Sequence, residues 1–144
     1  MRLLIVVLTL LFMSVAVAEE GGEKESEAEA GVKYIEMTPK FTVNLAEPKK
    51  FLLIDVQLLV EGAEAIAAVK KHMPALRHEL IMLYSGRPSA ELQTMEQREA
   101  LRQETTKVIR ETLEKMEEGS GHRKSKGHSE EGFQEAFFTE FLVD

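Results

Sequence analysis

Residues Phe51–Val60, FLLIDVQLLV, constrain the fold of this chain more than any other stretch. Every second residue from Leu52 to Val60 is a large aliphatic, which places an unbroken apolar row on one face of a β-strand. The other face is mixed, because Asp55 and Gln57 interrupt it. A strand with one dry face and one half-dry face is typical of the interior of a sheet that helices cover. We therefore predict that this stretch is the central strand of such a sheet.

The segment before this strand predicts its first partner. In Tyr34–Leu45, YIEMTPKFTVNL, apolar residues alternate with polar ones, as they do in a half-buried strand. Pro39 has no N–H to donate to a ladder, so we expect a break at an edge, a bulge or a strand start. The short segment Ala46–Lys50 then predicts an antiparallel hairpin between two apolar runs.

Three helical segments are predicted after the central strand. Apolar residues at helical spacing begin at Ile66 and continue to Met73, and Pro74 either kinks this helix or begins another one. The next apolar stripe is broad and predicts a well-buried helix; its residues are Leu76, Leu80, Ile81, Met82, Leu83 and Tyr84. Thr94 and Gln97 have the spacing of a capping box and predict the start of a third helix. The predicted core face of that helix consists of Leu101, Val108, Ile109, Leu113 and Met116.

The chain closes on Phe133–Val143, FQEAFFTEFLV, which predicts a final strand rich in phenylalanine. The resulting element order is β-β-α-α-α-β. It predicts an α+β fold, in which helices pack on a small antiparallel or mixed sheet. Because a chain that ends in a buried strand tolerates truncation badly, we expect deletion of Phe138–Asp144 to abolish folding.

The first 33 residues differ in character from the rest. Leu3–Ala18 is apolar, follows Arg2 and ends in the small residues that a signal peptidase reads. This run is shorter than the ~20 residues of a spanning helix, which favours a cleaved signal peptide, with a retained short membrane anchor as the alternative. Residues 19–33 contain six glutamates and predict an acidic flexible tether. Residues 34–144 then form one predicted domain.

Composition narrows the classes of partner and chemistry. The chain carries a net charge of −7, which argues against a nucleic-acid partner. It contains no cysteine, so disulfides, thiolate chemistry and cysteine-based zinc sites are excluded.

Side chains with the chemistry for catalysis or metal binding do not form a recognisable set. His78 and Glu79 begin like a zinc-protease helix motif, but Met82 stands where the second histidine is needed. His122 and His128 flank basic residues in a segment that we interpret as a solvated loop rather than a weak metal or anion patch. The carboxylates expected on strands, which nothing in the sequence pairs, are Glu36, Glu135 and Glu140. We predict no catalytic, cofactor-binding or metal-binding residues, and hence a non-enzymatic binding or scaffolding domain without a small-molecule substrate.

Three stretches taken together resemble the flagellar basal body-associated FliL family. Tyr34–Leu45 followed by Phe51–Val60 is similar to the family's paired opening strands. His72–Gly86, HMPALRHELIMLYSG, is similar to its central helix, and Phe138–Val143, FTEFLV, is similar to its closing strand. The resemblance covers nearly all of the predicted domain, and the motifs are more specific in this order than singly.

This resemblance has implications that spacing and composition do not provide. It implies a stomatin-like domain that assembles into a homo-oligomeric ring. It also implies a periplasmic protein at the inner membrane and the flagellar basal body, which associates with stator units and supports flagellar rotation, and with it motility and chemotaxis. The alternative is a periplasmic adaptor or chaperone-like binding protein of the same fold that serves another envelope complex.

Overall fold

A computed structural model describes residues 31–119 and 132–144 of the 144-residue chain. In this part of the chain four strands, three α-helices and one short 3-10 helix follow one another. The strands are β1 (Val32–Glu36), β2 (Phe41–Asn44), β3 (Phe51–Glu61) and β4 (Gly132–Val143). The helices are α1 (Ala63–Lys71), α2 (Met73–Tyr84) and α3 (Met95–Gly119), with the 3-10 helix Ser89–Leu92 before α3. The protein is therefore an α+β fold, as the element order predicted.

Strand β3 lies at the centre of a small antiparallel sheet. β4 pairs with one edge of β3 along nearly its whole length, from Leu52 opposite Val143 to Glu61 opposite Gly132. β1 and β2 pair end to end with the other edge, β1 with the second half of β3 and β2 with the first half. The predicted central strand, hairpin and closing strand are confirmed.

The predicted break in the first strand is also confirmed. β1 ends at Glu36 and β2 begins at Phe41, and the peptide bond between Thr38 and Pro39 in the interruption is cis. The ladder continues into the break, because the N–H of Met37 donates to the carbonyl of Val56 at 2.9 Å. Proline thus occupies an edge position, where its missing N–H deprives no neighbouring strand of a hydrogen bond.

One face of the sheet and the three helices enclose the hydrophobic core. The predicted apolar row of β3 is completely buried; its members are Leu52, Ile54, Val56, Leu58 and Val60. The helices contribute buried side chains to the same cluster: Ile66, Val69, Leu76, Leu80, Tyr84, Leu101 and Ile109. Burial of each such side chain is worth about 1.5–3 kcal/mol, so this contact anchors all three helices to one face of β3.

The helix boundaries follow local sequence chemistry. Pro74 lies in the first turn of α2 and begins a new helix after His72, which decides between the two predicted roles of this proline. At the start of α3 the predicted capping box is formed, since the N–H of Gln97 donates to Thr94 Oγ1 at 3.1 Å and the N–H of Thr94 donates to Gln97 Oε1 at 3.0 Å.

The predicted burial of α2 was wrong for part of its apolar stripe. Ile81 is 41% and Met82 is 65% exposed, whereas Leu76, Leu80 and Tyr84 are completely buried. Because the sheet and α3 contact only one side of α2, a stripe wider than that contact leaves its flank in solvent.

A carboxylate joins the β2–β3 turn to the 3-10 helix. Glu47 accepts hydrogen bonds from the N–H of Ser89 at 3.1 Å and from its hydroxyl at 2.9 Å. Both hydrogen bonds favour the charged carboxylate and hold the pKa of Glu47 below its usual value. The bond from the hydroxyl has the larger effect.

Several predictions lie outside the described residues. They concern Leu3–Ala18 as signal peptide or anchor, most of the acidic tether, and the loop that contains His122 and His128. Among the residues that are described, no helix combines the length and apolar character needed to cross a membrane.

Candidate interaction surface

The helices leave one face of the sheet uncovered. This open face consists of Phe51, Leu53, Asp55, Gln57, Leu59 and Glu61 of β3 and of their pairing partners on the other strands. Its apolar side chains do not belong to the core, and three of them are strongly exposed: Tyr34 at 60%, Val32 at 56% and Leu142 at 49%. The open face is thus a mixed apolar and polar surface available for contact with another molecule.

Asp55 lies at the centre of the open face and is only 9% exposed. Within residues 31–119 and 132–144, no group donates a hydrogen bond to its Oδ1 atom. Across the ladder it faces Glu140 of β4. Like charges directly opposite each other destabilise a sheet, and an unsatisfied buried acceptor costs about 1–3 kcal/mol. Asp55 therefore lowers the stability of the folded domain.

Lys40 lies beside this acidic pair. Its ammonium group forms a salt bridge with Glu140, and this hydrogen bond and charge raise the pKa of Lys40. The two side chains remain 46% and 41% exposed, so the pair itself contributes little to stability. It offsets the charge of Glu140 and leaves Asp55 Oδ1 without a donor.

Arg77 of α2 holds the segment that carries Lys40. Its guanidinium donates to the carbonyl of Pro39 at 2.7 Å and to that of Met37 at 3.2 Å. It also lies 4.4 Å from the centre of the Phe41 ring, within the range of a cation–π contact. The backbone between β1 and β2 is therefore fixed from the core side, although it is not part of a strand.

Side chains of α3 cover part of the outer edge of β4. Arg102 donates to the carbonyl of Ala136 at 2.9 Å, and Thr106 Oγ1 accepts a hydrogen bond from the Ala136 N–H at 3.1 Å. One turn further on, Arg110 donates to the carbonyl of Gln134 at 2.9 Å. The four-residue spacing of these three side chains places them on one stripe of the helix. They satisfy edge groups that otherwise attract another strand.

Arg102 also connects the edge to two carboxylates. It forms salt bridges with Glu99 of α3 and Glu135 of β4. The hydrogen bonds to these carboxylates raise the pKa of Arg102, and the bond to Glu99 has the larger effect. The same contact lowers the pKa of Glu99. The Arg102 guanidinium lies 5.7 Å from the Phe137 ring centre, at the border of the open face.

A groove of about 820 Å³ lies between the start of α3 and the end of β4. Phe138 and Phe141 form its floor from the strand, and the 83% exposed Met95 lies at its rim. Arg98 crosses it with its guanidinium 4.8 Å from the Phe141 ring centre. The groove is the second apolar surface of the described domain.

Of the candidate histidine ligands, His72 and His78 lie in the described part of the chain. His78 and Glu79 are exposed on α2, and His72 lies at the junction of α1 and α2. In the described ranges, no three histidine, aspartate or glutamate side chains are grouped closely enough to hold a metal ion.

The strand carboxylates have separate neighbours that the sequence did not show. Glu140 faces Asp55, Glu135 contacts Arg102, and Glu36 is exposed opposite Gln57. In the sequence, Asp55 stands out only as an interruption of an apolar strand. A lone aspartate among large aliphatics is itself a signal, because β-strands are depleted in aspartate and a buried one requires a reason.

Comparison with known proteins identifies a family that this chain resembles. The family described as flagellar basal body-associated protein FliL matches residues 34–143. The chain is also 32% identical over 122 residues to the flagellar protein FliL of Aquifex aeolicus (strain VF5). That alignment covers 83% of this chain and 66% of the relative, so the chain spans slightly less than two thirds of the relative's length. The family match begins at the first strand and ends with the last one, across the whole sheet and all three helices. The chain therefore belongs to the FliL family of flagellar basal body-associated proteins.

Proposed function

We propose that this protein is a non-enzymatic accessory of the flagellar basal body that associates with stator units and supports flagellar rotation. The observation that carries the proposal is the family match over residues 34–143, which extends from within the first described strand to the end of the last one. A role in the flagellar basal body follows from the family itself, and the association with stator units is the further step.

The described domain supports this step through its surfaces. An accessory that holds another complex needs contact area rather than a reactive group, and the open face and the groove beside β4 supply two mixed apolar surfaces. Contiguous exposed apolar groups rimmed by charge are typical of protein–protein interfaces.

We also propose where the protein acts and how copies of it assemble. The protein acts in the periplasm at the inner membrane, reached through Leu3–Ala18 as a signal peptide or anchor. Copies of the domain assemble into a ring through a head-to-tail interface, since a heterologous contact repeated between neighbours generates a ring when its rotation closes.

Swimming speed under increasing viscous load tests this function. A strain that lacks the protein is compared with the wild type, and filaments are counted by microscopy in the same cells. We expect normal filament numbers and a loss of speed that grows with load, because torque at high load depends on the number of engaged stator units. Speed equal to the wild type at every load contradicts the proposal and favours an envelope adaptor of the same fold. A loss of filaments indicates an assembly role instead.

A further inference from the structure

The open face contains a buried acceptor that the described chain does not satisfy. Asp55 is 9% exposed, its Oδ1 has no donor among the described residues, and its cross-strand neighbour is another carboxylate. The large majority of buried side-chain polar atoms in native proteins have a hydrogen-bond partner. An exception at the centre of an uncovered sheet face indicates that the partner arrives from outside the domain.

The charge of the open face determines which charge the partner must carry. Alternate residues of the strands place the following carboxylates on this side of the sheet: Glu36, Asp55, Glu61, Glu135 and Glu140. Lys40 is committed to Glu140, and Arg102 at the border is committed to Glu99 and Glu135. The face is therefore net acidic, and complementary potential favours an incoming cation.

Apolar side chains flank the acidic centre. Tyr34 and Val32 project on the β1 side, and Leu142 lies on the β4 side. Tyr34 packs against Phe137 with their ring centres 6.1 Å apart, so the aromatic platform spans β3. Aromatic side chains around a desolvated polar contact are typical of the energetic centre of an interface.

We infer that the open face binds a basic segment of a partner protein, in which one lysine or arginine pairs with the Asp55 carboxylate and neighbouring apolar side chains cover Tyr34 and Leu142. This inference rests on the proposed function, in which the partner is a stator subunit. A cation is required because a neutral donor satisfies Oδ1 but does not offset the charge of the face.

Lys40 acts as a competitor for the acidic centre of the open face. In the free domain its ammonium pairs with Glu140, and Asp55 also raises the pKa of Lys40 through its charge. Removal of Lys40 makes the face more acidic and leaves both carboxylates for the partner. The inference therefore requires opposite effects from Asp55 and Lys40 substitutions.

Binding of stator peptides tests the inference. Overlapping synthetic peptides that cover the stator-subunit segments outside the membrane, from the same organism, are titrated with the purified 144-residue chain. We expect the peptides that bind to contain a lysine or arginine next to apolar residues. Asp55→Asn weakens binding at least about tenfold, since loss of one partner of a desolvated charge pair is costly. Lys40→Gln strengthens binding.

Glu64→Gln is the matched control, because it removes one negative charge from an exposed position in the first turn of α1, away from the open face. We expect it to bind like the wild type. Circular dichroism melts establish that each variant is folded, so weak binding by Asp55→Asn is not a consequence of unfolding.

Four results overturn the inference. They are equal binding by the wild type and Asp55→Asn, binding that Met95→Ser in the groove abolishes instead, a wild-type dimer that Asp55→Asn converts to a monomer in light scattering, and no binding by any stator peptide. The proposed function fails separately, through normal swimming at high load. A load defect without peptide binding therefore rejects this inference alone.

Discussion

Replacement of Tyr84 with phenylalanine removes one buried hydrogen bond and leaves the rest of the core in place. Tyr84 is completely buried in α2, and its hydroxyl lies 2.8 Å from Thr105 Oγ1 of α3. Because the Thr105 hydroxyl itself donates to the carbonyl of Leu101 at 2.8 Å, Tyr84 is the donor of the pair. In Tyr84→Phe the threonine retains that bond, so we expect a loss of about 1 kcal/mol at pH 7. This corresponds to a decrease in melting temperature of about 4–8 °C for a domain of roughly 100 residues.

The same substitution changes how stability depends on pH. Burial raises the pKa of Tyr84 well above its usual value of 10.0, because the phenolate loses solvation inside the core. A group whose pKa is higher in the folded state stabilises the fold fully below its unfolded pKa and loses this contribution as the pH rises above it. For an unfolded pKa of about 10, the wild type loses about 1.4 kcal/mol at pH 11. Tyr84→Phe has no such loss, so the two stability curves converge and cross between about pH 10 and 11.

Urea unfolding of both proteins at pH 7 to 11, followed by circular dichroism, measures this effect. Tyr34→Phe is the matched control, because it removes the same hydroxyl from a ring that is 60% exposed on the open face. We expect the control to stay within about 0.5 kcal/mol of the wild type at pH 7. A gap between wild type and Tyr84→Phe that remains constant from pH 8 to pH 11 refutes the reasoning, since it means that the hydroxyl ionises as easily in the folded state as in the unfolded one.

Three further changes test other parts of the structure. Deletion of Phe138–Asp144 removes the strand that pairs with the first half of β3, so we expect no cooperative melting transition in circular dichroism; an unchanged transition contradicts this expectation. Glu47→Gln lowers the urea midpoint at pH 7. Because the pKa of Glu47 is depressed in the folded state, the difference from the wild type disappears as the pH falls below about 4.5. A difference that persists at pH 2 argues against the Ser89 contact as its cause. Asp55→Asn raises the free energy of unfolding by about 1 kcal/mol at pH 7, since it removes an unpaired charge from a buried position, and a lower urea midpoint instead means that Asp55 has a stabilising partner.

Local sequence chemistry determined the secondary structure. The period-two row in Phe51–Val60 predicts the central strand because alternate side chains of a strand share a face whatever surrounds it. Pro39 acts through its own backbone, and Thr94 and Gln97 accept hydrogen bonds from each other's backbone N–H groups, so the strand break and the start of α3 were also predictable. The family was visible for a related reason, since its motifs lie within single strands and helices. The flagellar role came from that resemblance and not from the physical pattern.

Only the tertiary structure decided which residues meet on the open face. Glu140 stands opposite Asp55 because of the register between β3 and β4, which includes a shift between Asp55 and Val56 that no local pattern specifies. A change of one residue in this register moves every side chain of β4 to the other face.

The tertiary structure also decided the roles of residues at the edges and flanks of the domain. No motif in the sequence distinguishes Arg102, Thr106 and Arg110, yet they satisfy the outer edge of β4. The helical period likewise predicts the side that α2 buries, and only the packing of its neighbours leaves Ile81 and Met82 in solvent. Periodicity depends on bonds within one element, whereas pairing and burial depend on where distant elements come to lie. The sequence by itself therefore determined the strands, the helices and the family, and the tertiary structure decided which surface remained open and which carboxylate lay unpaired at its centre.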